Sequence, residues 1–451
     1  MVERCGETLT VPSSGETVDT QLHRIARKAR KEPRFQFTSL FHLMNEELLR
    51  GCFERLRGDA AVGIDRVTKG EYAEELETNL RGLVERLHRM AYIPEPVLRV
   101  YIPKPGSAKR RPLGIPALED KLVQAGLVRI LEQVYEQDFE DCSYGFRPGR
   151  GCHDALRALN KTVGTGRINW IVEADIRGFF DNIEHAWLMK FIAHRISDKR
   201  VQRYIKRFLK AGVIEEGQRY ASEEGTPQGG VISPLLANIY LHYSLDLWFE
   251  RSFAPGCHGA ARLIRYADDF VVCFSSKTEA DRFREELVER LAKFGLEVEP
   301  SKTKVIAFGP GASSLVKQEG KSKPETFDFL GFTHYCSRSR DGYRFRMKRV
   351  TSRKRICAKL SSFKAWLKSN RSKMRTRELW LKAIEKIQGH INYYGVTDNS
   401  PGMSRFVYEA KKLLYKWLNR RGGKKRMNWE KFSKMEKLFP LPRPRIMVTL
   451  Y

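Results

Sequence analysis

The spacing of apolar positions along the chain predicts a mixture of helices and short strands. Apolar residues recur every three to four positions, as on one face of a helix, over residues 118–138, 201–214, 233–250 and 277–294, and over residues 38–92 on either side of a glycine-bearing loop, GDAAVGIDRVT. Short apolar runs, which are typical of strands, occupy residues 97–103, 170–176, 261–267 and 269–275. Because these helices and strands do not alternate regularly, the pattern predicts an α+β fold rather than a doubly wound sheet.

The part of the chain after residue 296 predicts further short strands, a hairpin and a helical bundle. The strands are predicted at EVE, KVIAFG and FDFLGFTHY, and a charged hairpin at SRSRDGYRFRMKR. Farther on, Ile356, Leu360, Phe363 and Leu367 fall at helical spacing among many basic residues. We therefore expect the last quarter of the chain to be a folded helical bundle with basic faces.

Charge is distributed unevenly. The 451 residues include 82 Lys and Arg against 54 Asp and Glu, which gives a formal net charge of +28. Residues 338–451 hold 32 basic and 7 acidic residues, a net of +25, so the first 337 residues carry only +3. Such a distribution disfavours an ordinary neutral metabolic enzyme and indicates a catalytic body joined to a part that binds nucleic acid.

Other classes of protein are disfavoured by what the composition lacks. No apolar run reaches about 18 residues, so no membrane-spanning helix is expected, and the polar N-terminus does not resemble a secretion signal. The eight cysteines form no C-x-x-C pair, which disfavours a zinc ribbon and favours reduced thiols in the cytoplasm. Cys152 and His153 are adjacent, but no second pair accompanies them, so a metal site there is disfavoured.

Adjacent carboxylates between two apolar strands are the strongest chemical signal. Asp268 and Asp269 would repel each other and lose hydration there unless a divalent cation neutralised them, although an ordinary exposed Asp-Asp turn is the alternative. Asp175, at the end of another apolar strand, could supply a third carboxylate. Hard oxygen ligands of this kind suit Mg²⁺, and three carboxylates with two Mg²⁺ ions suit in-line nucleotidyl transfer.

Two loops have compositions that favour ligand binding. Residues 225–234 contain three glycines and two prolines before a predicted helix, so the backbone there can approach a ligand closely. Residues 104–116 form a basic loop after a predicted strand, which suits a triphosphate.

These motifs, in this order, resemble those of reverse transcriptases, and more narrowly the bacterial group II intron-encoded reverse transcriptase and maturase family. The matching stretches are IPKPGSAKRRPLGIP, CSYGFRPGRGCHDAL, ADIRGFFDNI, GTPQGGVISPLLANIYL, RYADDF, GLEVEPSKTKV, FLGF, GHINYYGV and PLPRPRI. The resemblance covers roughly residues 38–451. It implies a right-hand polymerase with fingers and palm, followed by an α-helical thumb or maturase domain.

The resemblance also implies domain boundaries. Together with the polar N-terminus, it predicts a loosely ordered segment at 1–37, a helical extension of the fingers at 38–96, fingers and palm at 97–335, a basic helical thumb or maturase domain at 336–420, and a short basic DNA-binding segment at 421–451.

The resemblance further implies the roles of individual residues. Asp175, Asp268 and Asp269 would be catalytic, with Asp175 and Asp268 the principal ligands of two Mg²⁺ ions, Mn²⁺ as a substitute, and the Ile176 carbonyl completing a metal shell. The predicted nucleotide-binding residues are Lys104, Arg111 (with Arg110 as an alternative), Phe180, Gln228 and Lys302. Phe180 would exclude a 2′-hydroxyl, while Phe179 is predicted to be core. The predicted primer grip is Phe329, Leu330, Gly331 and Phe332. Arg147 and Arg150 would either contact template phosphate or cap a turn.

The implied partners are an intron RNA template, a DNA primer or target, and dNTPs, with no membrane and with monomer and dimer both open. The protein would copy intron RNA, assist splicing and retrohoming, and lie in the bacterial cytoplasm on nucleic acid. Because the sequence stops after PLPRPRIMVTLY without an HNH-type motif, we expect no DNA cleavage by this chain. Two alternatives stay open: a domesticated reverse transcriptase in defence, CRISPR adaptation or DNA repair, and a non-catalytic RNA-binding splicing factor.

Overall fold

The computed structural model describes residues 17–103, 110–221, 224–226, 228–318, 320, 322–339, 341–421 and 427–451. Its α-helices are α1 (Val18–Lys31), α2 (Glu46–Arg55), α3 (Lys69–Glu74), α4 (Leu76–His88), α5 (Leu118–Asp138), α6 (Cys152–Gly164), α7 (His185–Ala193), α8 (Lys199–Leu209), α9 (Ser233–Leu241), α10 (Lys277–Ala292), α11 (Ala312–Gln318), α12 (Arg353–Asn370), α13 (Thr376–Tyr394), α14 (Ser400–Asn419) and α15 (Trp429–Leu438). Its strands are β1 (Val97–Pro103), β2 (Arg110–Ile115), β3 (Trp170–Ala174), β4 (Val213–Glu215), β5 (Gln218–Tyr220), β6 (Ala261–Tyr266), β7 (Asp269–Phe274), β8 (Lys304–Ala307), β9 (Phe327–Phe329), β10 (Phe332–Arg338) and β11 (Phe345–Thr351). This mixture agrees with the predicted α+β class.

The chain forms two compact units, each built from separate stretches of sequence. The first contains Met1–Val100, Pro112–Glu140 and Gly178–Tyr243, and the second contains Tyr101–Arg111, Asp141–Arg177 and Ser244–Tyr451. The bounds of these units differ from the predicted domain boundaries, because strands that are distant in sequence pair within one sheet.

Helices dominate the first unit. The long helix α5 packs against α1, α2 and α9, and its Leu127, Ile130 and Leu131 are fully buried. Strand β4 pairs in parallel with β1 and antiparallel with β5, which completes the strand order β2-β1-β4-β5. The helix predicted over 201–214 therefore ends early, at Leu209, because residues 213–215 join this sheet.

The predicted loose order of residues 1–37 is wrong for the part that the structure describes. Helix α1 begins after Thr17, whose side chain accepts a hydrogen bond from the Thr20 N–H. Val18, Leu22 and Ile25 are buried on one face of this helix. The three-to-four spacing of these apolar residues was hidden in the sequence by the basic residues between them.

The second unit contains the sheet that bears the strongest chemical signal. Its strand order is β6-β7-β3-β8, with each neighbouring pair antiparallel. Helix α6 packs on β6 and helix α10 packs on β3, β7 and β8, so Phe270 and Phe274 of β7 are fully buried. A second sheet has the order β11-β10-β9, and the strand predicted at FDFLGFTHY is divided into β9 and β10 by a turn at Leu330–Gly331.

The predicted helical bundle at the end of the chain is present. Helices α12 to α14 enclose buried apolar residues that include Trp380, Phe406 and Leu414. Phe432 of α15 and Leu441 belong to the same core. Residues 427–441 therefore share a core with the predicted thumb, whereas Leu450 packs in the core of the sheets. Among the described residues, no helix is long and apolar enough to cross a membrane.

Candidate active site

Two predicted catalytic carboxylates lie at one end of the β6-β7-β3-β8 sheet. Ala174, the last residue of β3, pairs with Phe270 of β7. The next residue in each direction is Asp175 on one strand and Asp269 on the other, so the register brings them side by side. The antiparallel pairing explains why residues almost a hundred positions apart meet at this edge.

The third carboxylate, Asp268, lies in the hairpin turn between β6 and β7. Tyr266 pairs with Asp269, so Ala267 and Asp268 are the two central residues of the turn. The φ angle of Ala267 is +56°, as at the first central position of a type II′ turn. A left-handed conformation costs a non-glycine residue about 1–2 kcal/mol, so the surrounding contacts must hold this turn in place.

Asp246 and Arg265 form a fully buried ion pair next to this turn. The exposed fraction of both side chains is 0%. Arg265 Nε donates to Asp246 Oδ1 at 2.7 Å, and Arg265 Nη1 donates to the carbonyl of Ala267 at 3.0 Å. Burial alone would lower the pKa of Arg265, but Asp246, with smaller effects of Cys142 and Asp268, raises it overall, so the guanidinium stays charged.

The electrostatics of the sheet end favour a bound cation. Neighbouring protein atoms exclude water from around the Asp269 carboxylate, although part of the residue is exposed. This loss of hydration raises the pKa of Asp269, and the charges of Asp268 and Asp175 raise it further. Burial likewise raises the pKa of Asp268, and Arg111 opposes the rise. Burial and Asp328 raise the pKa of Glu173 to about 7. A bound divalent ion is expected to stabilise the charged form of carboxylates that are clustered and buried in this way.

Asp175 has a positively charged partner. The Lys302 ammonium donates to Asp175 Oδ2. The segment that carries Lys302 is held to the residues that follow β3, because the Glu299 N–H donates to the Asp175 carbonyl at 2.8 Å, and the Arg177 N–H donates to the Glu297 carbonyl at 2.8 Å. Lys302 therefore contacts a predicted catalytic carboxylate, and its role in nucleotide binding stays a prediction.

The donor set partly fits the predicted metal site. Ile176 forms an antiparallel bridge with Val298 whose two hydrogen bonds are made by the neighbouring residues, so the Ile176 carbonyl is not used in that bridge. With Asp175 and Asp268 it offers the hard oxygen ligands that Mg²⁺ prefers. Within the described residues, no three His, Cys, Asp or Glu side chains are already arranged around a common metal position. The fit therefore rests on two carboxylates and one carbonyl.

The predicted primer grip is a tight hairpin turn whose ends are buried. Phe329 and Phe332 are 1% and 0% exposed, so their side chains pack in the core. Leu330 and Gly331 have φ angles of +50° and +82°, as in a type I′ turn. The Leu330 N–H donates to Asp269 Oδ2 at 3.4 Å. The turn, rather than the two phenylalanines, is therefore the part that a primer could touch.

Arg147 and Arg150 hold their own loop. Arg147 is 6% exposed, and its Nη1 donates to the Ser143 carbonyl at 3.0 Å. Arg150 Nη2 donates to Asp141 Oδ1 at 2.7 Å. These contacts match the second role that the sequence left open, capping of a turn. Contact of Arg150 with template phosphate stays a prediction.

Two predicted nucleotide-binding residues lie on neighbouring segments of the first unit. The Thr226 N–H donates to the Phe180 carbonyl at 2.8 Å, and the Gln228 carbonyl accepts from the Gly114 N–H. A cavity of about 690 Å³ lies here, and Thr226 and Gln228 are among its lining residues. Phe180 is half-buried, whereas its neighbour Phe179 is 2% exposed, as the sequence predicted. Of the basic residues, Arg110 and Arg111 are exposed, and Lys104 lies outside the described residues.

Comparison with known proteins places this site in a family. The model for "Reverse transcriptase (RNA-dependent DNA polymerase)" matches residues 102–334. The chain belongs to the reverse transcriptase family. The matched residues include all three clustered aspartates, so the carboxylates at the sheet end belong to the family's shared domain.

The curated relatives narrow the resemblance to intron-encoded reverse transcriptases. The chain is 42% identical over 225 residues to the group II intron-encoded protein LtrA of Lactococcus lactis, a match that covers 49% of this chain and 37% of LtrA. It is 37% identical over 278 residues to protein YkfC of Escherichia coli, covering 54% and 73%. It is also 28% identical over 172 residues to nuclear intron maturase 2 of Arabidopsis thaliana, covering 29% and 23%. The chain thus spans little more than a third of LtrA.

Sequence reasoning missed several residues of this reverse transcriptase site. Arg265 and Asp246 form the buried pair beside the turn, although a charge inside the apolar run ARLIRYA was a signal for a buried partner. Phe146 is 52% exposed, and its ring lies 6.3 Å from that of Tyr266. Its φ angle of +57° is rare for a bulky residue, and nothing in the sequence marked it.

Proposed function

We propose that this chain is an RNA-directed DNA polymerase whose second unit supplies the catalytic carboxylates. The observation that carries the proposal is the meeting of Asp175, Asp268 and Asp269 at one sheet end in a chain of the reverse transcriptase family. The raised pKa values of Asp268 and Asp269 support it, because burial removes water from these carboxylates and the neighbouring Asp175 adds to the rise of both. The right-hand arrangement of fingers, palm and thumb is part of the same proposal.

The carboxylates would hold two divalent ions. Asp175, Asp268 and the Ile176 carbonyl are the proposed ligands, with Asp269 adding negative charge. When bound there, Mg²⁺ would lower the pKa of the attacking 3′-hydroxyl and would stabilise the negative charge of the leaving pyrophosphate. Lys302 offsets part of the negative charge of Asp175, and it is free to turn toward a triphosphate because its side chain is 59% exposed.

The remaining predicted residues would select and orient the nucleotide. Lys104 and Arg111 are proposed to bind the triphosphate, and Arg111 is favoured over Arg110 because its charge already acts on Asp268. Phe180 is proposed to exclude a 2′-hydroxyl, and Gln228 to contact the incoming nucleotide. The Leu330–Gly331 turn is proposed to contact the primer.

Primer extension tests this proposal directly. The purified chain is given an RNA template, a DNA primer, dNTPs and Mg²⁺, and Asp268→Asn is compared with Asp281→Asn, the same change on helix α10. We expect extension by the unmodified chain and by Asp281→Asn, and a loss of at least about 100-fold in Asp268→Asn, because the charged ligand is removed. Equal extension by both variants would refute the assignment of Asp268.

A second proposed function is intron RNA binding as a maturase that assists splicing and retrohoming. It is supported by relatives named as an intron-encoded protein and an intron maturase, and by the net charge of +25 on residues 338–451. Basic helices bind structured RNA mainly through shape and phosphates. We expect RNA affinity to fall steeply as salt rises, and Asp268→Asn to retain splicing activity while it loses polymerase activity.

The proposed partners are therefore intron RNA, a DNA primer or target, and dNTPs. A domesticated reverse transcriptase would share the polymerase but not the splicing role. Whether the DNA that flanks the gene folds as a group II intron distinguishes the two. A non-catalytic splicing factor would show RNA binding without primer extension.

A further inference from the structure

We propose that Arg265 is a positioning residue that fixes the turn carrying Asp268, and that Asp246, Ser143 and Gly145 hold Arg265 and the turn in place. The inference rests on the proposed polymerase function, which makes the direction of the Asp268 carboxylate matter. It concerns residues that the predicted catalytic set does not include.

The guanidinium of Arg265 makes bonds on two sides. Its Nε and Nη2 bind the two carboxylate oxygens of Asp246, which fixes the plane of the guanidinium. Nη2 also donates to Ser143 Oγ at 2.8 Å, and Nη1 donates to the Ala267 carbonyl at 3.0 Å. Four N–H groups of one buried side chain are thus committed to three partners.

The Ala267 carbonyl is the most informative of these partners. It belongs to the peptide unit whose nitrogen is that of Asp268, so a hydrogen bond to this oxygen fixes the peptide plane that leads into the carboxylate. Ala267 also has the left-handed φ of +56°, a conformation that needs support from its surroundings. Arg265 supplies that support from inside the sheet.

The segment Cys142–Gly145 supports the turn from the other side. Arg265 N–H donates to the Cys142 carbonyl at 2.8 Å, and Tyr144 N–H donates to the Arg265 carbonyl at 2.9 Å, which gives a parallel bridge between Ser143 and Arg265. A Cβ atom on Gly145 would stand 2.4 Å from the Ala267 nitrogen. Only glycine allows this close approach, so the segment limits movement of the turn.

A contribution to stability is a weak explanation for the buried ion pair of Arg265 and Asp246. Replacing a buried ion pair by apolar residues of similar volume is often neutral or stabilising. Asp246 also ends a π-helical stretch, His242–Asp246, and π-helical turns occur often at functional sites. A charged pair whose guanidinium also donates to the Ala267 carbonyl, in a turn of the proposed active site, is therefore better explained by positioning.

The first unit provides a matched control. Arg195 and Asp138 form another buried pair, with side chains 4% and 12% exposed and atoms 2.8 Å apart. Arg195 also donates to backbone carbonyls, those of Glu32, Phe35 and Ala29. Its role is to anchor the chain near α1, so Arg195→Lys removes a comparable set of bonds from a residue outside the proposed catalytic machinery.

The test compares Arg265→Lys, Gly145→Ala and Arg195→Lys in the full chain. Lysine keeps the charge beside Asp246 but cannot make the forked bonds, and alanine at 145 displaces the turn without changing any charge. For both variants we expect kcat of primer extension to fall about 10- to 100-fold with the dNTP KM changed less than about twofold. We also expect weaker Mn²⁺ binding to the free protein, followed by electron paramagnetic resonance, by about the same factor. Arg195→Lys should lose activity only in proportion to its unfolded fraction, measured by thermal denaturation.

The outcomes separate the two proposals. If the unmodified chain extends no primer, the polymerase function fails. If it does extend, but folded Arg265→Lys and Gly145→Ala bind Mn²⁺ and extend primers like the unmodified chain, the positioning role is refuted. Should Arg265→Lys fail to fold, Gly145→Ala decides, with Ser143→Ala as a milder variant that removes one acceptor of Arg265 and should show a smaller loss of the same kind.

Discussion

The turn at Leu330–Gly331 allows a prediction that separates two kinds of strain. Gly331 has a φ angle of +82°, and a Cβ added there would stand 2.9 Å from the Tyr394 hydroxyl oxygen. Gly149 has a similar φ of +70°, but a Cβ there would meet no atom within 4 Å. Gly331→Ala therefore introduces backbone strain and a clash, whereas Gly149→Ala introduces backbone strain alone.

The expected size of each effect follows from these distances. A left-handed alanine costs about 1–2 kcal/mol, so Gly149→Ala should lower the free energy of unfolding by that amount. Overpacking adds about 1–3 kcal/mol, so Gly331→Ala should lower it by about 2–5 kcal/mol. Removing the hydroxyl with Tyr394→Phe leaves the next ring atoms at 3.6 Å, an ordinary contact. The double variant Gly331→Ala/Tyr394→Phe should therefore recover most of the free energy of unfolding that the clash removes.

Urea denaturation of the full chain, followed by circular dichroism, measures these changes, with each variant compared with its own parent. Primer extension is measured in parallel, because Leu330 is bound to Asp269 through its N–H and to the Tyr393 hydroxyl through its carbonyl. The reasoning is refuted if Gly331→Ala destabilises no more than Gly149→Ala, or if Tyr394→Phe restores nothing in the double variant.

Three further changes have defined outcomes. His334 is fully buried, and burial lowers its pKa to about 3. Its contribution to stability is therefore present above pH 6.5 and is lost as pH falls toward 3, by at most about 1.4 kcal/mol per pH unit. His334→Phe should flatten the acid side of a plot of the urea midpoint against pH. The pH dependence caused by Asp120 has the opposite sign, because burial raises its pKa to about 7. Its contribution to stability is full below about pH 4 and is lost as pH rises through 7. Asp120→Asn should therefore gain stability relative to the unmodified chain over that range, and an unchanged plot of stability against pH would contradict the assignment. Phe146→Ala should weaken primer–template binding about 5- to 10-fold in a filter-binding assay, at unchanged stability, if the exposed ring beside Tyr266 stacks on nucleic acid.

Several features of the fold and the site follow from the sequence because they are local. Strand β7 with its adjacent aspartates, helices α5 and α10, and the charged hairpin all depend on short-range spacing of apolar residues. The same is true of Phe179 and Phe180, where one of two neighbouring rings had to be core. The order of the motifs also carried the family resemblance, which the family model bears out over residues 102–334.

The tertiary structure alone decided which residues support the carboxylates and which are buried. Asp175 and Asp269 lie side by side because of the antiparallel register of β3 and β7. Arg265 of β6 pairs with Asp246, which ends a π-helical stretch. Neither pairing is visible in the local spacing of residues. Arg147 turned out to be buried in its own loop. Composition marks a basic residue as suited to phosphate, but only the folded chain determines whether its N–H groups are already bound to protein carbonyls.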